Sequence, residues 1–311
     1  MPDESDAAVS NAAWIELLHA EVCWHLDRAD VDALVIKGPS IADWLYPDEE
    51  RPSADVDLLV RPSHWRTAID VLHKLGFADT LEDFKEWEPP HHSVTLSRTD
   101  PELGGHAVDL HRFFPGIDLE GEPAFDVLWS DRTRGTQAAL PVWYPSTSAR
   151  TLIIALHAAR DPSSPKTGED LRRAVRALDD DERAHLTSLA RQLSAQAALR
   201  AGLESQSDTA DEVSELGLSN VPVSAYWALR SRGASGTSIH LEELTTVPWS
   251  RRPITLWHWV FPSPALMRVR DPRAASGRAA LAGAYARRLR SGVRALPAAV
   301  RELRAARRPH G

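Results

Sequence analysis

ALVIKGPSIADWLYPDEERPSADVDLLV, residues Ala33 to Val60, sets two apolar runs around a glycine turn and an acidic strand start. Val31–Ile36 is short, aliphatic and β-branched, which predicts a first strand. It ends in the turn Lys37-Gly38-Pro39-Ser40, and Ile41–Leu45 predicts one or two helical turns stopped near Pro47. Asp55-Val56-Asp57 then leads into Leu58-Leu59-Val60, the second predicted strand. Alternate residues of a strand share a face, so Asp55 and Asp57 stand side by side, roughly 7 Å apart at Cα. Two carboxylates that close repel each other unless a cation neutralises them.

On the N-terminal side, Trp14, Leu17, Leu18, Val22 and Leu26 recur at helical spacing and predict a helix with one buried face. On the C-terminal side, Pro62-Ser63 opens a helix with the stripe Trp65, Ala68, Val71, Leu72 and Leu75, closed by Gly76. Asp79–Pro90 reads as an acidic loop. His91–Leu96 and Ala107–Leu110 read as strands joined through the turn signals of Thr99–Gly105. The second of these strands carries Asp109 and, two residues on, His111. A hairpin of the two puts Asp109 at the edge region of the sheet, within reach of Asp55 and Asp57. From about Ser146, Ala, Leu and Arg dominate, and Arg150–Arg160, Glu169–Leu178, Asp180–Ala201 and Asp208–Leu216 predict helices.

The expected fold class is therefore α+β, a small mixed β-sheet flanked by helices and followed by an α-helical domain. The expected divisions are 1–30 (a helix packing on the core), 31–145 (the α/β core), 146–245 (helical) and 246–311 (a Trp/Pro-rich segment and a basic helical tail).

A chain of 311 residues with 43% hydrophobic and 26% charged residues builds its core without staples. Its single cysteine, Cys23, excludes an internal disulfide and fits a reducing cytoplasm. The first nine residues are acidic and polar, unlike a signal peptide, and no apolar run is long enough to span a membrane. The net charge of −8 is uneven: Met267–Gly311 carries +10, from twelve Arg against Asp271 and Glu302, which leaves −18 for the rest. An acidic body argues against nucleic acid as a general partner. The basic tail suits either the acidic body or an anionic partner. Of the eleven tryptophans, Trp249, Trp257 and Trp259 cluster, and core packing is their expected role.

A glycine turn after a strand, an Asp-x-Asp on the next strand and a third Asp on a later one together resemble the nucleotidyltransferases of the DNA polymerase β superfamily. The resemblance is closest to the bacterial branch described as uncharacterised nucleotidyltransferase. It rests on Lys37-Gly38, Arg51, Asp55-Val56-Asp57-Leu58-Leu59-Val60, His92 and Val108-Asp109-Leu110-His111. Supporting pieces are His157, Asp170-Leu171-Arg172-Arg173, Phe261-Pro262 and Tyr285-Ala286-Arg287-Arg288, so it covers about residues 10 to 290.

The resemblance implies a Mg²⁺-dependent enzyme, with Mn²⁺ as the alternative, that moves a nucleoside monophosphate from an NTP such as ATP to a hydroxyl and releases pyrophosphate. Asp55, Asp57 and Asp109 would be its metal ligands and catalytic carboxylates in a two-metal mechanism. Lys37, Gly38, Ser40, Arg51 and Lys166 would meet the phosphates, and His111 and Asp170 would orient substrate. The acceptor is open among a small molecule, a peptide and a protein, with tRNA less favoured. Pro39 departs from the superfamily's Gly-Ser turn by removing an N–H donor, which keeps open a non-catalytic nucleotide- or partner-binding module on the same fold. Each candidate also has a plainer role: Arg51 pairing with Glu49 or Glu50, His111 as a buried histidine, Asp170 in helix architecture.

Overall fold

The computed structural model describes residues 11–49, 51–53, 55–79, 92–100 and 104–307. Within these, helix α1 (Asn11–Asp27) leads to β1 (Ala33–Val35), α2 (Pro39–Leu45), β2 (Asp55–Val60), α3 (Trp65–Lys74), β3 (Ala78–Asp79), β4 (Ser93–Asp100) and β5 (Gly104–His111). The loop expected at 79–90 and His91 lie outside the described residues, apart from Asp79. Then follow α4 (Glu122–Ser130), β6 (Thr133–Gln137), β7 (Leu140–Tyr144), α5 (Thr147–Arg160), α6 (Pro165–Arg176), α7 (Asp180–Gln192) and α8 (Gln196–Glu204). The remaining helices are α9 (Glu212–Glu215), α10 (Ala225–Ser231), α11 (Gly236–Thr246), α12 (Arg252–Val260), α13 (Pro264–Arg270) and α14 (Arg278–Ala306). The class is α+β, as the sequence predicts.

The described residues form two compact units. The first holds residues 11–79, 92–154 and 169–196, and the second holds 155–168 and 197–307.

The first unit is built on a five-stranded sheet in the order β1-β2-β5-β4-β3. β2 and β5 run parallel, and every other pair is antiparallel. This corrects the expected edge placement of Asp109, because β5 is the central strand. Alternation sorts the side chains. Val56, Leu58 and Val60 of β2, Val108 and Leu110 of β5 and Leu96 of β4 join Leu18, Val22 and Leu26 of α1 and Ala68 and Leu72 of α3 in one apolar core. Asp57, Asp109 and Thr95 lie in one cross-strand row of the opposite face, since Asp57 pairs in register with Asp109 and Asp109 with Thr95. In α1, Leu17 is 46% exposed, while Ile15 and His19 are buried. The buried face of α1 is thus Ile15-Leu18-His19-Val22-Leu26, and Leu17 falls outside it.

The β6–β7 hairpin has no sequence signal. Gln137 pairs with Leu140, so its loop is the dipeptide Ala138-Ala139, with φ of 43° and 64°. Positive φ at both central residues is the type I′ geometry normally written Asn-Gly. The predicted single helix over Asp180–Ala201 is two helices. Ser194 turns left-handed at φ 53°, and the Ala195 N–H donates to the Ala190 carbonyl at 2.7 Å, a Schellman closure that ends α7.

In the second unit, α14 is long and basic, and its contacts are specific. Glu302 accepts hydrogen bonds from Ser235 and Ser238, and Arg307 pairs with Glu242 at 2.5 Å. Trp249 is 81% and Trp257 58% exposed, which overturns the expectation that they pack in a core. Trp259 stacks on His240, with ring centroids 4.7 Å apart.

Alanine in the left-handed region costs roughly 1–2 kcal/mol per residue, and glycine's extra unfolded-state entropy offsets part of what its removal gains. The double substitution Ala138→Asn and Ala139→Gly is therefore expected to stabilise the protein by about 1 kcal/mol, read as a higher urea midpoint at unchanged slope.

Candidate functional site

The site starts from the polar face of the sheet. Asp57 is 4% exposed, and its Oδ1 accepts from Lys37 Nζ at 2.9 Å and from His111 Nε2 at 2.9 Å. Asp109, half-buried on the next strand, accepts from Thr95 Oγ1 at 2.5 Å. One ligand atom each from Asp57, Asp109 and His111 lie within 4.8 Å of one another. Asp55 is not part of that cluster. It stands one alternation back on β2, beside Ala107, so the residues brought together are Asp57, Asp109 and His111 rather than Asp55, Asp57 and Asp109.

Burial pushes the Asp57 carboxyl up, but the hydrogen bond from His111 and the charge of Lys37 outweigh it, and the net direction is well below the usual carboxylate range. Asp57 is therefore an anion at neutral pH. Two acids in register, one of them buried, with a lysine and a histidine turned to them, make a donor set that fits a divalent cation: hard oxygens, negative charge and converging geometry.

The turn that leads into α2 is built differently from its sequence reading. Gly38 has φ 63° and caps α2, with Pro39 in the first turn. A Cβ at Gly38 would be strained by the backbone and would stand tight against its neighbours, 3.2 Å from His19 Nε2 and 3.3 Å from Ser53 Oγ. Ser40 is fully buried and its hydroxyl donates to the Lys37 carbonyl at 3.3 Å, so it does not point outward as a phosphate donor. His19 is a residue that sequence reasoning misses. It is buried under the turn, its Nδ1–H donates to the Ile15 carbonyl at 2.8 Å, and burial holds its pKa down, so it is neutral. Its only sequence signal is its place one residue after Leu18 on the buried face of α1. Thr95 is missed as well, because its role needs the β4–β5 register.

Arg51 is committed elsewhere. It makes a bidentate pair with Asp170, Nε to Oδ1 at 2.9 Å and Nη2 to Oδ2 at 2.6 Å, and both side chains are 6% exposed. Tyr46 adds a third hydrogen bond to Asp170 at 2.8 Å. Through Nε and Nη2, Arg51 clasps the segment before β2 onto α6. Lys166 stands exposed in the first turn of α6, in the second unit. His92 lies 5.8 Å from His111 by ring centroids, beside the cluster.

A family model described as uncharacterised nucleotidyltransferase matches residues 4–207. The match stops short of the resembling pieces at 261–262 and 285–288. No curated protein matches the chain. Among solved structures, the solution structure of the antibiotic-resistance factor ANT(2'')-Ia aligns with a TM-score of 0.39 and 15% identity, covering 63% of this chain and 97% of that one. An antigenic nucleotidyltransferase-like protein from Paracoccidioides brasiliensis aligns with a TM-score of 0.38 and 17% identity, covering 60% and 91%.

The depressed pKa of Asp57 has a consequence for stability. A carboxyl whose folded pKa is depressed stabilises the fold above its free value, near 4, and that contribution is lost as pH falls towards the folded value. The urea midpoint of the wild type minus that of Asp57→Asn should hold constant from about pH 7 to 5 and shrink below about pH 4; a gap that stays constant or widens in acid contradicts the assignment. The Arg51 clasp is tested separately. Arg51→Ala strands the buried Asp170 and should cost about 3–5 kcal/mol in denaturant unfolding, with Arg51→Lys in between.

Proposed function

The chain belongs to the uncharacterised nucleotidyltransferase family, and on that premise we propose that it transfers a nucleoside monophosphate from an NTP to a hydroxyl-bearing acceptor. The observation that carries this reading is the Asp57–Asp109 register with Lys37 at its rim. In the reaction the acceptor oxygen forms a bond to the α-phosphorus, the bond from that phosphorus to the pyrophosphate oxygen breaks, and the acceptor proton leaves to a base.

Asp57 and Asp109 would hold a divalent cation, Mg²⁺ being the ion that carboxylate and phosphate oxygens suit, and such an ion when bound neutralises phosphate charge and lowers the pKa of a hydroxyl. Asp109 would take the acceptor proton. It is more accessible than Asp57, and Thr95 holds one of its oxygens in place. Lys37, 21% exposed at its side chain, has a flexible stem and a point charge that can leave Asp57 for a β- or γ-phosphate. Asp55, on the same strand face, is kept as a further carboxylate for the cation. The backbone at Gly38 is the other proposed phosphate contact. Arg51 and Asp170 would act by fixing the segment that delivers β2. The acceptor class is proposed as a small molecule, peptide or protein.

The test is incubation of the full chain with α-labelled NTP, a divalent cation and an acceptor panel. Transfer of label with pyrophosphate release is expected, and Asp109→Asn should lose on the order of 10²–10⁴ in kcat, the range for a general base, while NTP binding by calorimetry is kept. Full activity in Asp57→Asn or Asp109→Asn would overturn the mechanism. Tight NTP binding with no transfer across the panel would favour the non-catalytic module, and monophosphate release without an acceptor would favour a hydrolase.

A further inference from the structure

We propose that His111 is a direct ligand of the divalent cation at Asp57 and Asp109, and that its imidazole makes this a Mn²⁺ site in preference to a Mg²⁺ site. This rests on the reading of the two carboxylates as a cation site and deepens it by naming a nitrogen donor and the ion it selects.

Three observations carry it. First, position: His111 follows Asp109 by two residues on β5, on the same strand face, and its ring nitrogen lies with the two carboxylates inside 4.8 Å. Ligand atoms on one small cation stand about 3–4 Å apart when bonds are near 2.1 Å, so the three need to close only slightly. Second, His111 is 3% exposed and boxed by aromatic rings, with Phe114 stacked at 6.0 Å and His92 tilted at 5.8 Å. The imidazole is held facing Asp57 before any ion arrives.

Third, the ring's other nitrogen is uncommitted. Nδ1 is buried and has no hydrogen-bond partner among the described residues. In the ion-free site the hydrogen bond to Asp57 keeps the proton on Nε2; a cation on Nε2 replaces that bond, and the proton then sits on Nδ1.

Chemistry selects the ion. Mg²⁺ takes oxygen ligands and keeps its waters, whereas first-row transition ions accept imidazole. Two carboxylates with one imidazole combine both donor classes, and of the two ions that suit the oxygens of the site and of a triphosphate, Mn²⁺ is the first-row transition ion and accepts the nitrogen more readily than Mg²⁺. The rival role for His111 is to position Asp57 through the 2.9 Å hydrogen bond alone.

The experiment uses Mn²⁺ itself as the probe on the full chain, without turnover. Mn²⁺ binding is titrated by electron paramagnetic resonance, Mg²⁺ by competition, and pulsed resonance looks for coupling of bound Mn²⁺ to a ¹⁴N nucleus. A nitrogen coupling in the wild type is expected. His111→Gln should remove it and weaken Mn²⁺ by on the order of 10–100-fold, with a smaller loss for Mg²⁺, so that the preference between the ions narrows. Asp57-dependent Mn²⁺ binding with no nitrogen coupling sinks His111 as a ligand while leaving the carboxylate reading intact. If His111→Gln weakens both ions equally, the ligand role is likewise overturned, since that is how a positioning residue behaves. Absence of Mn²⁺ binding, or binding untouched by Asp57→Asn, removes the cation site and this proposal with it. The wild-type spectrum decides the ligand question even if a substitution at buried His111 fails to fold.

Discussion

The parallel pairing of β2 with β5 places Asp57 directly opposite Asp109, and the arrangement around it answers the cost of that juxtaposition. Two acids in adjacent central strands repel, and one of them is buried, where an unpaired charge is expensive. Lys37 and His111 both reach the same oxygen of Asp57, and Thr95 holds Asp109 from the far side. Lys37 arrives because β1 pairs with β2 on its other edge and ends just before the turn. His111 arrives because β5 continues two residues past Asp109. The apolar face of the same strands anchors the register, since a slip of β2 by one residue would turn Val56, Leu58 and Val60 out of the core and Asp57 into it.

Much of this is legible in the sequence. β2 spans Asp55–Val60, the limits read from the acidic start and the apolar run, and the placement of Asp109 and His111 on one face follows from alternation. Neighbour relations are not legible. Alternation tells which face a residue takes but not which strand lies beside it, and β5 finds β2 across a separation of about fifty residues. That is why the sequence puts β5 at an edge and gives no sign of Thr95. The Ala138-Ala139 turn and the break at Ser194 are invisible for another reason: tertiary context holds residues there in a backbone region their side chains do not prefer, so propensity gives no warning.

The loop before β2 shows how one charge admits two readings in one dimension. Arg51 sits four residues before Asp55 and carries a fork suited to phosphate, but the same fork fits a carboxylate equally well. Asp170, 119 residues away, supplies that carboxylate in a nearly closed setting. An ion pair this enclosed gains less net stability than its short distances suggest, because both charges were first taken out of water. What it gives is a fixed orientation. It ties the segment bearing Tyr46 and Arg51 to α6, and so fixes the approach of β2. The turn at Gly38 follows the same logic, with buried His19 setting the space below it and the Ser40 hydroxyl turned back on the chain.

The basic helix α14 invites an electrostatic explanation, and the magnitudes argue against it. Its ion pairs Arg287–Asp271 and Arg307–Glu242 join arginines that are nearly half exposed, and such pairs contribute about 0–1 kcal/mol each. Arg290, Arg294, Arg301 and Arg304 face outward. The helix is held instead where it carries small residues: Ala284 packs with Met267 and Ala274, and Ala299 is fully buried. Close approach at alanine lets backbone-sized surfaces meet at near-crystalline density, where dispersion adds over many contacts. The carboxylate of Glu302, gathered by Ser235 and Ser238 at the start of α11, then fixes the rotation of the helix. Those four outward arginines are left over from this packing rather than the cause of it, and their positive surface faces solvent.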